Sequence, residues 1–446
     1  METTDVAGLE NVIRIRNLSK KHNEYYSNSI SLIASDNIIS PLAKEMLISD
    51  FGSRYGEGHP GSFYIYETEN IVNSLAKRLF RSHFIDTRPI SGTNSNQAVV
   101  FALANPGDII TSPSIKDGAH ISSTEQGTIG FRGLKSVVLP FDVDTMNIDI
   151  DHSSKLIRSV KPKLALFGQS VFLFPAPLKE LYDSLQEARS YVWYDGAHVL
   201  GLIAGKSFQD PLKEGAQVIT GSTHKTLPGP QRGIIVGNTN YGEIWDKIDR
   251  AVYPGVLANY HLNTLAALGV TFAEFLEFGE KYANQVIRNA RKLAENLHES
   301  GFKVLGEKVG FTSSHTIWID VKMNGGGLKV SKSLEEANIF VNPYPLPYDK
   351  DSDEGNVGGI RLGVQEITRM GMTEPEMLLI GDLISRLILK KDDPVKIKQD
   401  VVELKSRFKY LQYCFTKNYD PFKYIELEAN NTKTSEVDAR KSPRKD

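Results

Sequence analysis

The regular alternation of short apolar runs with longer amphipathic stretches is the feature that most restricts how this chain can fold. Six apolar runs are DIITSP (Asp108–Pro113), SVVLPF (Ser136–Phe141), LALFGQ (Leu164–Gln169), YVWYDGAH (Tyr191–His198), QVITGST (Gln217–Thr223) and GIIVGN (Gly233–Asn238). Each run is apolar along most of its length, and the segments between the runs are long enough for helices. This pattern predicts an α/β protein in which helices cover both faces of a mainly parallel sheet.

The length of 446 residues predicts a large domain and a smaller one, because single hydrophobic cores rarely grow that far. Apolar residues at helical spacing between Leu257 and Ser300 predict a long helix that leaves the large domain. The strand-like runs HTIWIDV, IFVNPY and GIRLGV, followed by a terminal helix, indicate a smaller α+β domain. The predicted parts are an N-terminal arm (1–40), a large domain (41–275), a small C-terminal domain (276–428) and a disordered polar tail (429–446).

Composition and charge exclude several classes of partner. The chain has 52 Lys and Arg against 54 Asp and Glu, which gives no electrostatic reason to expect nucleic acid. No run approaches the roughly eighteen apolar residues of a membrane span, and the segment Met1–Lys20 lacks the apolar core of a secretory signal. The single cysteine, Cys414, cannot form an internal disulfide or a thiolate metal site. We therefore expect a cytoplasmic protein with no membrane, nucleic-acid or metal partner.

The segment GSTHKTLPGPQRG (Gly221–Gly233) contains the most informative lysine, Lys225, directly after a predicted strand. Partial burial at a strand end would lower the pKa of its amine and allow the amine to attack a carbonyl group. The alternative is an exposed lysine beside a turn. This motif alone leaves both interpretations open.

A second segment, YDGAHVLGLIAG (Tyr194–Gly205), places Asp195 and His198 at the end of another predicted buried strand. A buried carboxylate is costly unless a cation accompanies it. The protonated pyridine nitrogen of pyridoxal phosphate (PLP) is such a cation, and an aspartate beside it makes the ring an electron sink. The alternative is that Asp195 caps the following helix and that His198 is a hydrogen-bonded core histidine.

Three further segments carry polar residues in positions that suit ligands. PISGTNSNQAVVFAL (Pro89–Leu103) predicts a helix start that could bind a phosphate, or a capped helix without a ligand. RYGEGHPG (Arg54–Gly61) either presents a tyrosine and a glutamate to a ligand, with glycines that permit close backbone approach, or is a surface loop. GGIRLGVQEITRMGM (Gly358–Met372) places Arg361 in an apolar run, where it requires a carboxylate of a ligand or a structural salt bridge.

Together with SLIASDN (Ser31–Asn37), these segments occur in an order that resembles serine hydroxymethyltransferase, specifically its shorter archaeal-type members. The resemblance implies a fold-type I PLP enzyme with a seven-stranded, mainly parallel sheet, a smaller C-terminal domain and active sites shared across a homodimer. It also implies serine and glycine as substrates. A reduced pterin, tetrahydrofolate or tetrahydromethanopterin, would accept the one-carbon unit.

The resemblance also implies a role for each of several residues. The implied cofactor-binding residues are Ser91, Gly92, Thr93 and His224 at the phosphate, His120 stacked on the ring, Ser170 and His198 near the ring hydroxyl, Asp195 at the pyridine nitrogen, and Lys225 as the Schiff-base lysine. The remaining implied residues are Ser35 and Arg361 at the substrate carboxylate, Asn342 at the pterin, and Tyr55 and Glu57 from the neighbouring subunit. Glu57 would handle protons at the hydroxymethyl group.

The chain departs from the family pattern at three places. One is the glycine-rich segment of the family after its PG dipeptide, which is PGVLANYH (Pro254–His261) in this chain. Gln231 occupies a position where bacterial and eukaryotic members have an arginine, and Arg232 follows it. The two-tyrosine, two-glycine motif of the family becomes GSFYIYETEN (Gly61–Asn70) and is several residues shorter, so that either Tyr64 or Tyr66 could take the tyrosine role. Since this region lines the pterin pocket in the family, we predict a preference for a pterin other than tetrahydrofolate.

Two other functions are compatible with the same residues. One is a PLP-dependent aldolase of the same fold that acts on threonine-like or α-methyl β-hydroxy amino acids without a pterin. The other is a PLP-binding protein that has lost catalysis. The presence of Glu57, Asp195, Lys225 and Arg361 argues against the second.

Overall fold

The computed structural model of the protein describes residues 8–56, 58–350, 355 and 357–427. The described residues form two compact units, one from 8–27 with 422–427 and the other from 28–421. In the first unit, Arg16 and Lys20 of a helix pair with the carboxylate of Glu426. The predicted disordered tail, 429–446, lies outside the described residues.

The second unit contains fifteen strands, and all but one of the fourteen helices belong to it. The strands are β1 (Ile30–Ser31), β2 (Phe84–Asp86), β3 (Ile109–Ser112), β4 (Lys135–Val138), β5 (Phe141–Asp142), β6 (Asn147–Ile148), β7 (Leu164–Gly168), β8 (Tyr191–Asp195), β9 (Val218–Ser222), β10 (Gly233–Gly237), β11 (Lys303–Val304), β12 (Thr316–Asp320), β13 (Ile339–Phe340), β14 (Asn342–Tyr344) and β15 (Gly359–Gly363). The helices are α1 (Gly8–Ser27), α2 (Pro41–Leu47), α3 (Ser62–Phe80), α4 (Gly92–Leu103), α5 (Thr128–Phe131), α6 (Ile150–Val160), α7 (Leu178–Ala188), α8 (Leu200–Ala204), α9 (Gly242–Arg250), α10 (Leu262–Glu299), α11 (Gly327–Glu336), α12 (Gln365–Arg369), α13 (Glu374–Ile388) and α14 (Pro394–Ser406). These counts refer to the described part of the chain. No helix within it is long and apolar enough to cross a lipid bilayer.

The central sheet has seven strands in the order β2-β10-β9-β8-β7-β3-β4. Strands β4, β3, β7, β8 and β9 are parallel, and β10 is antiparallel to both of its neighbours. Strands β7, β9 and β10 are buried along their whole length, as their continuous apolar sequences require. The predicted seven-stranded, mainly parallel sheet is confirmed.

The register of the parallel strands brings their carboxyl ends to one edge of the sheet. Gly168 at the end of β7 pairs with Asp195 at the end of β8, and Asp195 pairs in turn with Thr220 near the end of β9. Ligands of open α/β sheets bind at this edge, outside the carboxyl ends of the strands. The segments that follow β3, β7, β8 and β9 therefore converge on one region.

A smaller sheet of four antiparallel strands, in the order β11-β12-β15-β14, lies later in the chain. Its strand β15 places Arg361 between Trp318 of β12 and Asn342 of β14. The long helix α10 extends from Leu262 to Glu299 and thus passes the predicted domain boundary at 275. The division of the chain into an arm, a large domain and a small domain stays a prediction.

Candidate active site

A cavity of about 310 Å³ lies at the carboxyl edge of the central sheet. Its lining consists of Ser35, Ser91, Gly92, Thr93, Asn96, His120, Ser122, Gly168, Gln169, Ser170, Asp195, Ala197, His198, Ser222, His224 and Lys225. All the predicted cofactor-binding residues are among them, together with the predicted substrate residue Ser35. The structure therefore brings together residues that the sequence separates by up to 190 positions, from Ser35 to Lys225.

Lys225 follows β9 and is buried, with 9% of its surface exposed. Its carbonyl accepts from the Asn37 amide at 2.6 Å, and the next residue is held by its own side chain, because the Thr226 hydroxyl donates to the His198 carbonyl at 2.7 Å. The pKa of the Lys225 amine is lowered from 10.5 to about 8, mainly by burial, with Asp195 opposing the shift and Arg361 adding to it. A substantial fraction of this amine is thus neutral and nucleophilic near neutral pH.

Asp195 ends β8 with a buried carboxylate whose two oxygens accept separate hydrogen bonds. Oδ1 accepts from the Ala197 backbone at 3.0 Å, and Oδ2 accepts from the Asn96 amide at 2.8 Å. Two such donors stabilise an ionised carboxylate and fix its orientation. Asn96 is 2% exposed and lines the cavity, although the sequence analysis did not select it.

The start of α4 forms one end of the cavity. Ser91 caps this helix, since its hydroxyl accepts from the Asn94 backbone at 3.1 Å, and Gly92 and Thr93 are the first helical residues. A Cβ atom at Gly92 would lie 2.3 Å from the Ser222 hydroxyl, so a larger residue there would displace this side chain. The twelve-residue helix offers unpaired backbone N–H groups that suit a phosphate.

The cavity residues fit the chemistry of PLP. Among the described residues, the Nδ1 atoms of His198 and His224 are buried polar atoms that line the cavity without a hydrogen-bond partner. Buried polar groups usually have partners, so both atoms indicate a polar ligand. A glycine-lined helix start, a fixed carboxylate and a lysine with a lowered pKa provide for the phosphate, the ring nitrogen and the aldehyde of this cofactor, respectively.

Arg361 is a buried cation, 7% exposed, whose hydrogen-bond partners are neutral, although the half-buried carboxyl of Asp36 is near enough to interact with its charge. It donates to the Ser170 carbonyl at 3.0 Å and to Oδ1 of Asn342 at 2.7 Å, and its guanidinium lies 5.0 Å from the centre of the Tyr344 ring. No carboxylate of the described residues forms a salt bridge with it, and its Nε has no partner there. Burial lowers its pKa from the usual value. The arrangement provides a site for an external carboxylate.

His120 lines the cavity from the segment after β3. Its Nδ1 accepts from the Ser122 backbone at 3.2 Å, which leaves the ring proton on Nε2 in the neutral form. Desolvation and the proximity of Lys225 lower the pKa of His120. A neutral imidazole at this position can pack on a flat aromatic ligand.

The predicted tyrosines lie outside the cavity. Tyr55 is 60% exposed, Tyr64 is 67% exposed and Tyr66 is 45% exposed. Glu57 lies outside the described residues. Asn342 does not line the cavity either, and its amide oxygen is directed at Arg361.

Gln231, which replaces the arginine of bacterial and eukaryotic members, and the following Arg232 have different surroundings. Gln231 is exposed, whereas Arg232 is completely buried and donates to the carbonyls of Thr87, Arg88 and His261. Burial lowers the pKa of Arg232 to about 10. Because these backbone groups occupy its guanidinium, Arg232 connects strand ends and does not line the cavity.

Comparison with known proteins places the chain in one family. The family model described as serine hydroxymethyltransferase matches residues 10–384. Serine hydroxymethyltransferase of Thermoplasma volcanium is 51% identical over 94% of this chain and 99% of its own length, and that of Thermoplasma acidophilum is 53% identical over 93% and 98%. Serine hydroxymethyltransferase of Methanopyrus kandleri is 45% identical over 92% and 96%.

The fold of the chain is also similar to that of a protein of known structure. L-threonine transaldolase from Pseudomonas fluorescens matches with a TM-score of 0.82 and 30% identity, over 94% of this chain and 97% of that one. The predicted family and fold class are confirmed by these matches. The chain belongs to the serine hydroxymethyltransferase family.

Proposed function

We propose that this protein interconverts serine and glycine with PLP as cofactor and a reduced pterin as acceptor of the one-carbon unit. The observation that carries the proposal is the presence of Lys225, Asp195 and Ser35 in one cavity, with Arg361, which has no salt bridge among the described residues, donating to the carbonyl of Ser170 in the cavity lining. An amino acid presents both an amine for exchange at the lysine and a carboxylate for the arginine. The family membership and the archaeal relatives support the same activity.

PLP, when bound, would supply an electron sink for the electrons released at Cα of the amino acid. Lys225 would hold the cofactor through its neutral amine. The start of α4 would bind the phosphate, and His120 would cover the ring. Asp195, fixed by Asn96 and the Ala197 backbone, would keep a proton on the ring nitrogen.

Arg361 and Ser35 would bind the substrate carboxylate and thereby orient the bonds at Cα. Glu57, on the segment before α3, would move a proton at the hydroxymethyl oxygen. The exposed rings of Tyr55, Phe63 and Tyr64, which are 60, 70 and 67% exposed, support a homodimer in which this segment reaches the site of the second subunit. We also propose that the enzyme is cytoplasmic, as its composition suggests.

The identity of the acceptor provides the test of the function. We expect serine cleavage in a single turnover to require a reduced pterin, and we expect a higher kcat/KM with tetrahydromethanopterin than with tetrahydrofolate because the GSFYIYETEN segment is short. Quenched-flow measurement of glycine from labelled serine, with each carrier and without one, decides both points. A clear preference for tetrahydrofolate would show that this segment does not determine the choice of carrier.

The similarity to a transaldolase structure favours one rival function. L-Threonine transaldolase, at 30% identity, shares the fold over nearly the whole chain. The rival predicts retro-aldol cleavage of threonine without any pterin. Equal turnover of serine with and without a carrier would therefore replace the proposed function by an aldolase function.

The lowered pKa of Lys225 predicts how PLP binding depends on pH. Only the neutral amine reacts, so the rate at which the apo-protein captures PLP should rise with pH and level off above about 8. An ordinary lysine would continue to gain reactivity toward 10.5. Stopped-flow absorbance from about pH 6.5 to about pH 9.5, with N-α-acetyl-lysine as control, measures the midpoint. A rate that still rises steeply at the upper end would contradict the burial argument.

A further inference from the structure

His315 is a completely buried histidine directly before β12, and none of the steps above uses it. Burial and the positive charge of Arg361 lower its pKa to about 3. The ring is therefore neutral in the pH range where enzymes of this kind work. Any role it has must come from its hydrogen bond and its packing.

The hydrogen bond of His315 determines its tautomer. Nε2 lies 3.2 Å from the carbonyl oxygen of Ala34. A carbonyl oxygen can only accept, so Nε2 carries the proton and Nδ1 carries the lone pair. His315 thus donates to the residue immediately before Ser35, which lines the cavity.

Gln365 holds the same turn from the other side. Its Nε2 donates to the carbonyls of Ile33 and Asp36, each at 2.7 Å. The carbonyls on both sides of Ser35 are therefore bound by side chains, and the turn contains no regular secondary structure of its own. These donors hold the backbone on both sides of Ser35, while its hydroxyl donates to Oδ1 of Asp36 at 3.3 Å.

The ring of His315 also packs on His198. The ring centroids are 5.7 Å apart and the ring planes differ by 22°, which is a stacked arrangement. His198 is 3% exposed and lines the cavity. Its Nδ1 has no hydrogen-bond partner among the described residues, so ring packing is one of the few contacts that can fix the orientation of this side chain.

We propose that His315 is a positioning residue that joins two parts of the site, the Ser35 turn through its hydrogen bond and His198 through its ring. Its Nε2–H orients the Ser35 turn, which would bind the amino-acid carboxylate. Its ring orients His198, which would contact the cofactor. The assignment of an amino acid to Ser35 rests on the proposed function.

Two substitutions separate the two contacts. His315→Phe keeps the stacked ring and removes the donor, so the dissociation constant for glycine should rise about three- to tenfold while that for PLP stays within about twofold. His315→Gln keeps an amide N–H at nearly the position of Nε2 and removes the ring. It should bind glycine within about twofold of the wild type and bind PLP about two- to tenfold more weakly. Fluorescence titration of the apo-protein with PLP and of the holoenzyme with glycine measures both constants.

Thr312→Val is the matched control, since it removes other buried bonds of the same segment, in which the Thr312 hydroxyl donates to the Leu173 carbonyl and accepts from the Ser314 backbone. It should lower thermal stability and leave both dissociation constants unchanged. Parallel losses of both affinities in Phe and Gln variants would overturn the proposal and make His315 a general packing residue.

The wild-type protein provides a test that needs no variant to fold. NMR of protein labelled with ¹⁵N-histidine should show His315 as the neutral Nε2–H tautomer down to about pH 5. An Nδ1–H tautomer could not donate to Ala34 and would overturn the proposal. If the wild-type holoenzyme failed to bind glycine, the proposed function would fail, whereas the tautomer and PLP measurements would still decide the role of His315.

Discussion

Replacing Lys225 with alanine is expected to abolish covalent PLP binding and all turnover. Lys225 is the only lysine among the described residues that line the cavity, so no other amine there can take its place. Borohydride reduction of the holoenzyme followed by peptide mapping should place the cofactor on the peptide that contains STHKTLPGP in the wild type, and on no peptide in the variant. PLP attached to another lysine would refute the assignment.

Lys44 offers a matched control for this experiment. Burial lowers the pKa of Lys44, as it does that of Lys225, but Lys44 lies outside the cavity and donates to the Pro421 carbonyl. Lys44→Ala should lose stability and retain covalent PLP. If both variants lost the cofactor equally, a general effect of removing a buried lysine would explain the result.

The same substitution tests whether two subunits share a site. Glu57 lies outside the described residues, and the neighbouring Tyr55 is 60% exposed, as a residue that reaches a second subunit would be in an isolated chain. Mixing Lys225→Ala with Glu57→Gln subunits should restore one competent site per heterodimer, about a quarter of wild-type activity after complete exchange. If activity did not return after verified exchange, both residues would serve the site of one subunit.

The sequence predicted those strands and helices whose own residues form a regular apolar pattern. Each of the six apolar runs overlaps a strand of the central sheet, with ends that differ by one or a few residues, and the pattern is clearest for the fully buried strands β7, β9 and β10. Helix α10 was predicted because its apolar residues recur at helical spacing. Strand β2 was not predicted, since its three residues, FID, are too short to form a pattern and depend on pairing with β10.

The parts of the site that sequence reasoning missed depend on contacts between distant segments. Asn96 is one of several polar residues at the start of α4, and only its bond to Asp195 distinguishes it from the others. The amide of Asn37 that holds the Lys225 backbone is 188 positions away from its partner. A local sequence pattern also could not predict that Tyr55 and Tyr64 are exposed in a single chain, because their proposed environment belongs to a second subunit.

Arg361→Ala should weaken the binding of serine and glycine by about tenfold to a hundredfold or more and leave PLP bound. Charge-assisted hydrogen bonds contribute about 1.5–3 kcal/mol each, and a carboxylate can accept two from one guanidinium. Arg361→Lys, which keeps the charge and loses the planar fork, should lie between the wild type and the alanine variant. Titration of the holoenzyme with glycine gives the affinities, and PLP absorbance gives the occupancy.

A ligand without a carboxylate distinguishes direct binding from a structural effect of the same substitution. Arg361 also donates to the buried Ser170 carbonyl and to the amide oxygen of the half-buried Asn342, so its loss removes a donor from both and lowers stability. Methylamine, which keeps the amine of glycine and lacks its carboxylate, should bind the wild type and Arg361→Ala with similar affinity. If the variant lost methylamine and glycine in equal proportion, or kept the wild-type KM for serine, Arg361 would be a structural cation and the carboxylate would bind elsewhere.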